Sequence, residues 1–508
     1  MRCGTATVVG VVLILVGCAA GDRVARAKPA FERGQRQEEL GQIEDALRSY
    51  EEAIRLQPEY TEPHRRRAIL LEGRGEGEQI CQEYRARLDR HPESPVFHYL
   101  YGRLLADPAS QLAEFDRAIA LDPSYYWGHY GRAHLLAQEG KIEEAVTAFE
   151  TAREIRPNRP RPHLFLGYLY TLGGRVDAAV RSYQNALRLD PRLPMAYQRL
   201  ATLYVQRGEF SLAIEAYRKA AKLNPHDAQS RFYLGNLLKT TGDQEGAIEA
   251  LESAVEVQSE FADAWRNMGL IHHERGELER ASAAYEWATK LDPNSSLVVY
   301  LLGVARLQQE KYEAAAAAFE RVIQIEPEQG RAYYFLGEVA RRRGNHHRAA
   351  AAYEQAANFV TPHPEVFYRL GRAYAAVGKY PEAASALQRS IRLLEEESEE
   401  AAGGGRQEQE DGLAIDISSP PEIATAYSWW GGILVRMGNL SAAEVVYQKA
   451  VTHQPKMPEP HQALGEIYEG QGKTHLAITA YQRYLELVPE GEEAKAVRRR
   501  LETLRGTR

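Results

Sequence analysis

Side chains whose type and spacing could do chemistry are few in this 508-residue chain. His272-His273-Glu274 and His346-His347 would suggest metal ligation. Adjacent histidines on a helix point about 100° apart, however, and do not readily chelate one ion together. They read as structural or surface residues, and no metal is expected. The three cysteines form no disulfide framework. Cys81 reads as a small buried apolar residue in the second helix of a degenerate hairpin. There is no Gly-rich phosphate loop, nucleophile elbow or paired metal-ligand motif. The run Arg341-Arg342-Arg343 offers anion-binding groups, although arginines of this kind are mostly solvated. The residues therefore point away from an enzyme and imply no cofactor.

The elements that would position these groups are amphipathic helices. Composition is 44% hydrophobic and 26% charged, close to a soluble globular average. Net charge is -7, but residues 395 to 411 alone carry eight acids against Arg406, so the remainder is about neutral. A neutral chain lacks the basic footprint that nucleic-acid binding needs. No nucleic acid and no small-molecule substrate is expected as a partner.

A period of 34 residues runs along most of the chain. One copy reads Leu166-Gly167, Tyr170, Gly174, Ala179, Tyr183, Ala186 and Pro191; the next reads Leu200-Ala201, Tyr204, Gly208, Ala213, Tyr217, Ala220 and Pro225. Small residues at positions 8 and 20 let two helices cross closely. Gly at position 15 closes the first helix, A, and Pro near position 32 stops the second, B. This pattern resembles the tetratricopeptide repeat, a helix-turn-helix unit that stacks into a solenoid. The resemblance implies an all-α, right-handed superhelical α-solenoid of about 13 repeats. They start at Ala27, Thr61, Pro95, Tyr126, Pro160, Pro194, Ala228, Ala262, Ser296, Gly330, Pro364, Ala424 and Pro458. Repeats 1 to 11 occupy 27–394 and repeats 12 and 13 occupy 421–489.

Local departures carry expectations of their own. Ile80, Arg87 and the glycine-rich turn from Gly73 to Gly77 predict a looser second repeat. The third is three residues short around Asp107-Pro108, which predicts a tight turn between its helices. Ser259 in place of Pro predicts that helix B of the seventh repeat runs on. Aromatics at position 24, such as Tyr183 and Phe319, should pack against the following repeat. Residues 395–420, rich in Glu, Gly and Ser, predict a disordered acidic insertion. Val497, Leu501 and Leu504 at helical spacing predict a capping helix within 490–508.

The amino terminus differs in kind. Arg2 precedes an uncharged stretch from Thr5 to Val16, too short to span a bilayer and suited to a signal peptide. The stretch ends in Leu15-Val16-Gly17-Cys18, which resembles a bacterial lipobox. That resemblance implies a lipoprotein signal peptide over 1–17, acylation of Cys18, a linker over 18–26 and attachment to a membrane through the lipid. Ala19 and Ala20 after the cysteine imply the outer membrane, facing the periplasm.

In the tetratricopeptide family, partners bind a concave face lined by positions 2, 5, 9 and 12 of helix A. Those positions yield an aromatic stripe interleaved with cations and amides: Tyr99, Arg103, Tyr130, Tyr168, Phe232, Asn236, Arg266, Tyr300, Tyr334, Arg341, Tyr368 and Arg372. Rings supply contact area at low entropic cost, and guanidinium groups take carboxylates or backbone carbonyls. The family's Lys/Asn carboxylate clamp is absent, and so is the asparagine ladder of its glycosyltransferase members. The resemblance thus implies a non-catalytic scaffold that binds an extended peptide or partner helix in assembly of a cell-envelope complex. Two alternatives stand beside it: a polysaccharide-facing scaffold in exopolysaccharide export, or a non-catalytic partner subunit of an enzyme.

Overall fold

The computed structural model describes residues 25–402 and 421–506. The signal segment, Cys18 and residues 403–420 lie outside them. All regular structure among the described residues is helical, arranged as successive antiparallel A/B hairpins. The first A helix spans 25–39 and its B helix Ile43–Leu56. Later A helices include Thr61–Gly73, Tyr126–Gln138, Pro160–Leu172, Gly330–Arg342, Pro364–Ala376 and Ile423–Arg436. The chain divides into two compact bodies, residues up to Leu237 and residues from Leu238 onward.

Within a repeat, the position-8 glycine is the contact surface for the position-24 ring of the same hairpin. A Cβ placed on Gly167 would lie 2.8 Å from Tyr183, and one on Gly303 would lie 2.8 Å from Phe319. The ring also reaches the next repeat. Phe149 stacks on Phe165 at 5.2 Å between centroids, and Phe319 on Phe335 at 5.4 Å. One aromatic side chain thus joins its own A helix to the following one, which is why each hairpin depends on its neighbour for a core.

A second device joins consecutive repeats. The proline that stops helix B leaves a carbonyl without a helical partner, and a ring N–H at position 4 of the next A helix donates to it. His64 reaches Pro58 at 2.8 Å, His98 reaches Pro92 at 2.9 Å, His129 reaches Pro123 at 2.9 Å and His461 reaches Pro455 at 3.0 Å. Trp265 does the same toward Ser259 at 3.3 Å. These histidines are structural, a role the sequence periodicity did not reveal.

Several local expectations are corrected. The third repeat takes up its deletion in helix A, which is cut to the eight residues Pro95–Gly102, rather than in the turn. Asp107 then caps helix B by accepting from the Ser110 N–H at 2.9 Å. Helix B of the seventh repeat ends at Val257 despite Ser259, whose carbonyl accepts from the Trp265 ring N–H as the prolines' carbonyls do elsewhere. Residues 395–402 continue the helix Tyr380–Ala402 instead of starting a disordered stretch. The Tyr427 hydroxyl anchors this extension by donating to Glu395 at 2.5 Å. Cys81 is half-buried rather than enclosed, and desolvation raises its thiol pKa. The helix Glu492–Gly506 buries Ala494, Val497 and Leu501 at the end of the array.

Candidate binding grooves on the A helices

Each body carries a groove walled mainly by A helices. The first has a volume of about 820 Å³ and lies among Arg65, Tyr99, Arg103, Tyr130, His134 and Arg161, with Phe115, Phe165 and Met195 around them. The second, about 810 Å³, lies among Arg341, Arg369, Arg372, Trp429, Arg436 and Glu459. Ala373, Ala376 and Gly432 also line it, and their small size takes up little of the space.

Charge in the second groove is arranged in two tiers. Glu338 and Glu365 are buried beneath it, at 6% and 2% exposure. Glu338 accepts two hydrogen bonds from Arg341, at 2.7 and 3.2 Å, and one from the Tyr353 hydroxyl at 2.5 Å. Arg369 bonds Glu365 at 2.6 Å and lies 3.6 Å from Glu338. Burial pushes the Glu338 carboxyl up, but the Arg341 and Tyr353 hydrogen bonds and the Arg369 charge outweigh it and hold the pKa low. For Glu365 burial prevails over Arg369 and the pKa is raised. Two arginines are therefore consumed by two acids. Arg372 and Arg436 form the upper tier: Arg372 lies 4.4 Å from the centre of the Trp429 ring and 5.5 Å from that of Tyr368, and Arg436 bonds the Tyr380 hydroxyl at 3.4 Å.

The first groove has the same character. Arg65 sits 3.7 Å over the Trp127 ring and donates to the Tyr99 hydroxyl at 2.9 Å. Arg161 bonds Tyr130. Arg103 gives both Nη groups to Glu72, at 2.8 and 3.3 Å, and its buried Nε has no acceptor.

The sequence-predicted residues divide accordingly. Tyr99, Arg103 and Tyr130 line the first groove, and Arg341 and Arg372 the second. The expected open aromatic stripe is corrected. Tyr99, Tyr130, Tyr300, Tyr334 and Tyr368 are all buried, because position 5 points between adjacent hairpins, where a ring fills the inter-repeat space. Tyr168 is exposed but belongs to neither groove, and Phe232 and Asn236 are half-buried on helix Ala228–Thr240. Arg266 is bound to Asp263 at 2.7 Å. Arg65 at position 5, Arg161 at position 2, Trp429 at position 6 and Arg436 at position 13 were missed. Reading every repeat at positions 2 and 5 for arginine would have found the first two.

Models of the tetratricopeptide repeat match residues 130–194, 199–256, 240–296, 266–327, 300–366 and 429–492, more than half of the chain, and further such models match 27–60 and 366–401. The chain belongs to the tetratricopeptide-repeat family. Proteins of this family are generally scaffolds that bind peptides or partner proteins. A search of curated proteins finds no match. Among solved structures, MamA is 25% identical, covering 34% of this chain and 93% of its own, with a TM-score of 0.32. YrrB, described as a tetratricopeptide protein with an unusual peptide-binding site, is 23% identical over 39% of this chain and 97% of its own, at 0.33. PilF of Pseudomonas aeruginosa is 24% identical over 41% and 97%, also at 0.33. Each corresponds to a shorter run of repeats than this tetratricopeptide array. Among the described residues there is no cluster of three or more metal-ligating side chains, and no helix is long and apolar enough to cross a membrane.

Proposed function

We propose that this tetratricopeptide protein is a non-catalytic scaffold, tethered to a membrane through Cys18, that holds protein partners in its A-helix grooves during assembly of a cell-envelope complex. The carrying observation is the groove between Arg341 and Glu459, open to a segment of polypeptide and walled by successive A helices. Two of its guanidinium groups, those of Arg341 and Arg369, are held in place by buried carboxylates, and that of Arg372 lies over the Trp429 ring, so they need little reordering on binding. The family's general role supports protein binding. The tether and the outer-membrane, periplasm-facing location rest on Leu15-Val16-Gly17-Cys18 and the Ala19-Ala20 that follow.

Two experiments test this reading. A photo-crosslinking residue at Ser428, on the groove wall, should capture a discrete protein in the native host, whereas capture of none there or at Gln138 in the first groove counts against the scaffold role. Cys18→Ser should release the protein from membranes on fractionation. Retention of the variant in the membrane pellet would contradict the lipid tether.

A further inference from the structure

Both grooves are donor-rich and acceptor-poor. The first is lined by Arg65, Arg103 and Arg161 with no carboxylate; the second by Arg341, Arg369, Arg372 and Arg436 against Glu459 alone. Arginine has donors only, so an arginine without an internal acid is complete when a ligand supplies oxygen acceptors. Among the described residues, Arg65, Arg161, Arg372 and Arg436 bond or stack on rings and hydroxyls and form no ion pair with a carboxylate, although the charge of Arg372 is felt by buried Glu365. Each groove also has an exposed apolar side chain beside its cations, Met195 in the first and Trp429 in the second. Outside its acidic segment the chain is about neutral, and it is -7 overall, so the two grooves are local cationic sites and not parts of a general basic surface.

We propose that each body reads a separate acidic segment of a protein partner, an extended stretch alternating carboxylates with large apolar side chains, so that one chain binds two such segments. Arg161 and Arg65 take the carboxylates in the first groove, with Met195 as apolar contact. Arg372 and Arg436 take them in the second, with the Trp429 ring as apolar contact. Two weak sites on one chain favour a partner that presents repeated acidic stretches, because the second engagement becomes intramolecular. This rests on the scaffold reading and adds partner chemistry and stoichiometry to it.

The test is calorimetric titration of the full chain with a synthetic twelve-residue peptide alternating Glu with Leu or Phe. Its Lys counterpart and a fluorescein-labelled single-stranded oligonucleotide serve as comparison probes. The expected result is two acidic peptides per chain, binding that weakens with salt, and no binding of the Lys peptide. Arg161→Ala and the pair Arg372→Ala with Arg436→Ala should each remove one of the two sites, weakening it at least about tenfold with helical content unchanged. Met195→Ala and Trp429→Ala should weaken the same sites separately. One site instead of two, equal binding of the Lys peptide, or preference for the oligonucleotide overturns the proposal. So does tighter peptide binding when Glu408, Glu410, Asp411 and Asp416 are neutralised, which would make the chain's own acidic stretch the occupant. If crosslinking still captures a partner while the peptide does not bind, the scaffold role stands and this inference fails.

Discussion

Glu62 accepts a hydrogen bond from Arg156 at 3.0 Å across a separation of 94 residues. Arg159 adds a second at 2.8 Å, and Thr61 meets the Tyr125 hydroxyl at 3.0 Å. The cause is the eight-residue helix Pro95–Gly102: with helix A of the third repeat cut short, the second repeat reaches the fourth directly. Glu62→Gln should destabilise the first body by about 1 kcal/mol, the discount reflecting two half-exposed arginines. Hydrogen exchange should speed up at both the Thr61–Gly73 helix and the Tyr125–Pro160 stretch. Faster exchange at one of them alone would show that the link does not couple these repeats.

Gly337 and Tyr353 repeat the hairpin contact in one of its tighter forms, since a Cβ on the glycine would lie 2.5 Å from the ring. Tyr353 cannot retreat easily, because its hydroxyl is committed to buried Glu338. Gly337→Ala should therefore cost about 1–3 kcal/mol through overpacking, read as a lower denaturant midpoint at constant slope. Gly470→Ala, where a Cβ meets nothing within 4 Å, is the matched control and should change little.

Glu310 closes its helix with φ 61°, the left-handed conformation that Gly344 and Gly378 adopt at the equivalent place. A side chain costs about 1–2 kcal/mol there, partly offset in glycine by its greater unfolded-state entropy. Glu310→Gly should thus stabilise the second body by up to about 1 kcal/mol in equilibrium unfolding. A lower melting temperature would show that Glu310 makes a compensating contact.

Tyr334 and Arg372 separate packing from binding. Tyr334→Ala removes a fully buried ring and should cost about 3–5 kcal/mol, with loss of the cooperative transition around it. Arg372→Ala leaves the core intact and should shift the melting midpoint by no more than a degree or two. Comparable destabilisation by both would place Arg372 among the structural residues.

His64 supplies a pH dependence. Burial lowers its pKa from 6.5 to about 4, against the opposing hydrogen bond to Pro58. The unfolded chain therefore binds the proton more readily between pH 6.5 and 4. Stability from this group is fully present above pH 6.5 and falls as pH drops through that window, by about 3 kcal/mol in all. Thermal melts of the wild type and of His64→Gln, compared from pH 7.5 to 4.5, should show the larger acid-side loss in the wild type. Parallel profiles would rule out His64 as the titrating group.

The residues themselves determined the hairpin and its period. Glycine at position 8, alanine at position 20, the turn glycine and the stop proline are all local demands of two helices crossing closely, and local demands are written in adjacent sequence. The A-helix location of the candidate grooves came from the family resemblance that this pattern carries. Tertiary structure alone decided that position-5 rings such as Tyr334 and Tyr368 are core, since each sits on a helix face that reads as open until the next hairpin covers it. It also decided which arginines are spent and which remain available. Arg341 and Arg369 pair with buried acids at the second groove, while Arg372 lies between Tyr368 and Trp429, which belong to different repeats. Charge balance depends on distances across repeats, and a repeating pattern makes every repeat look equivalent until a deletion such as that in Pro95–Gly102, or a buried acid such as Glu338, makes one differ from the rest.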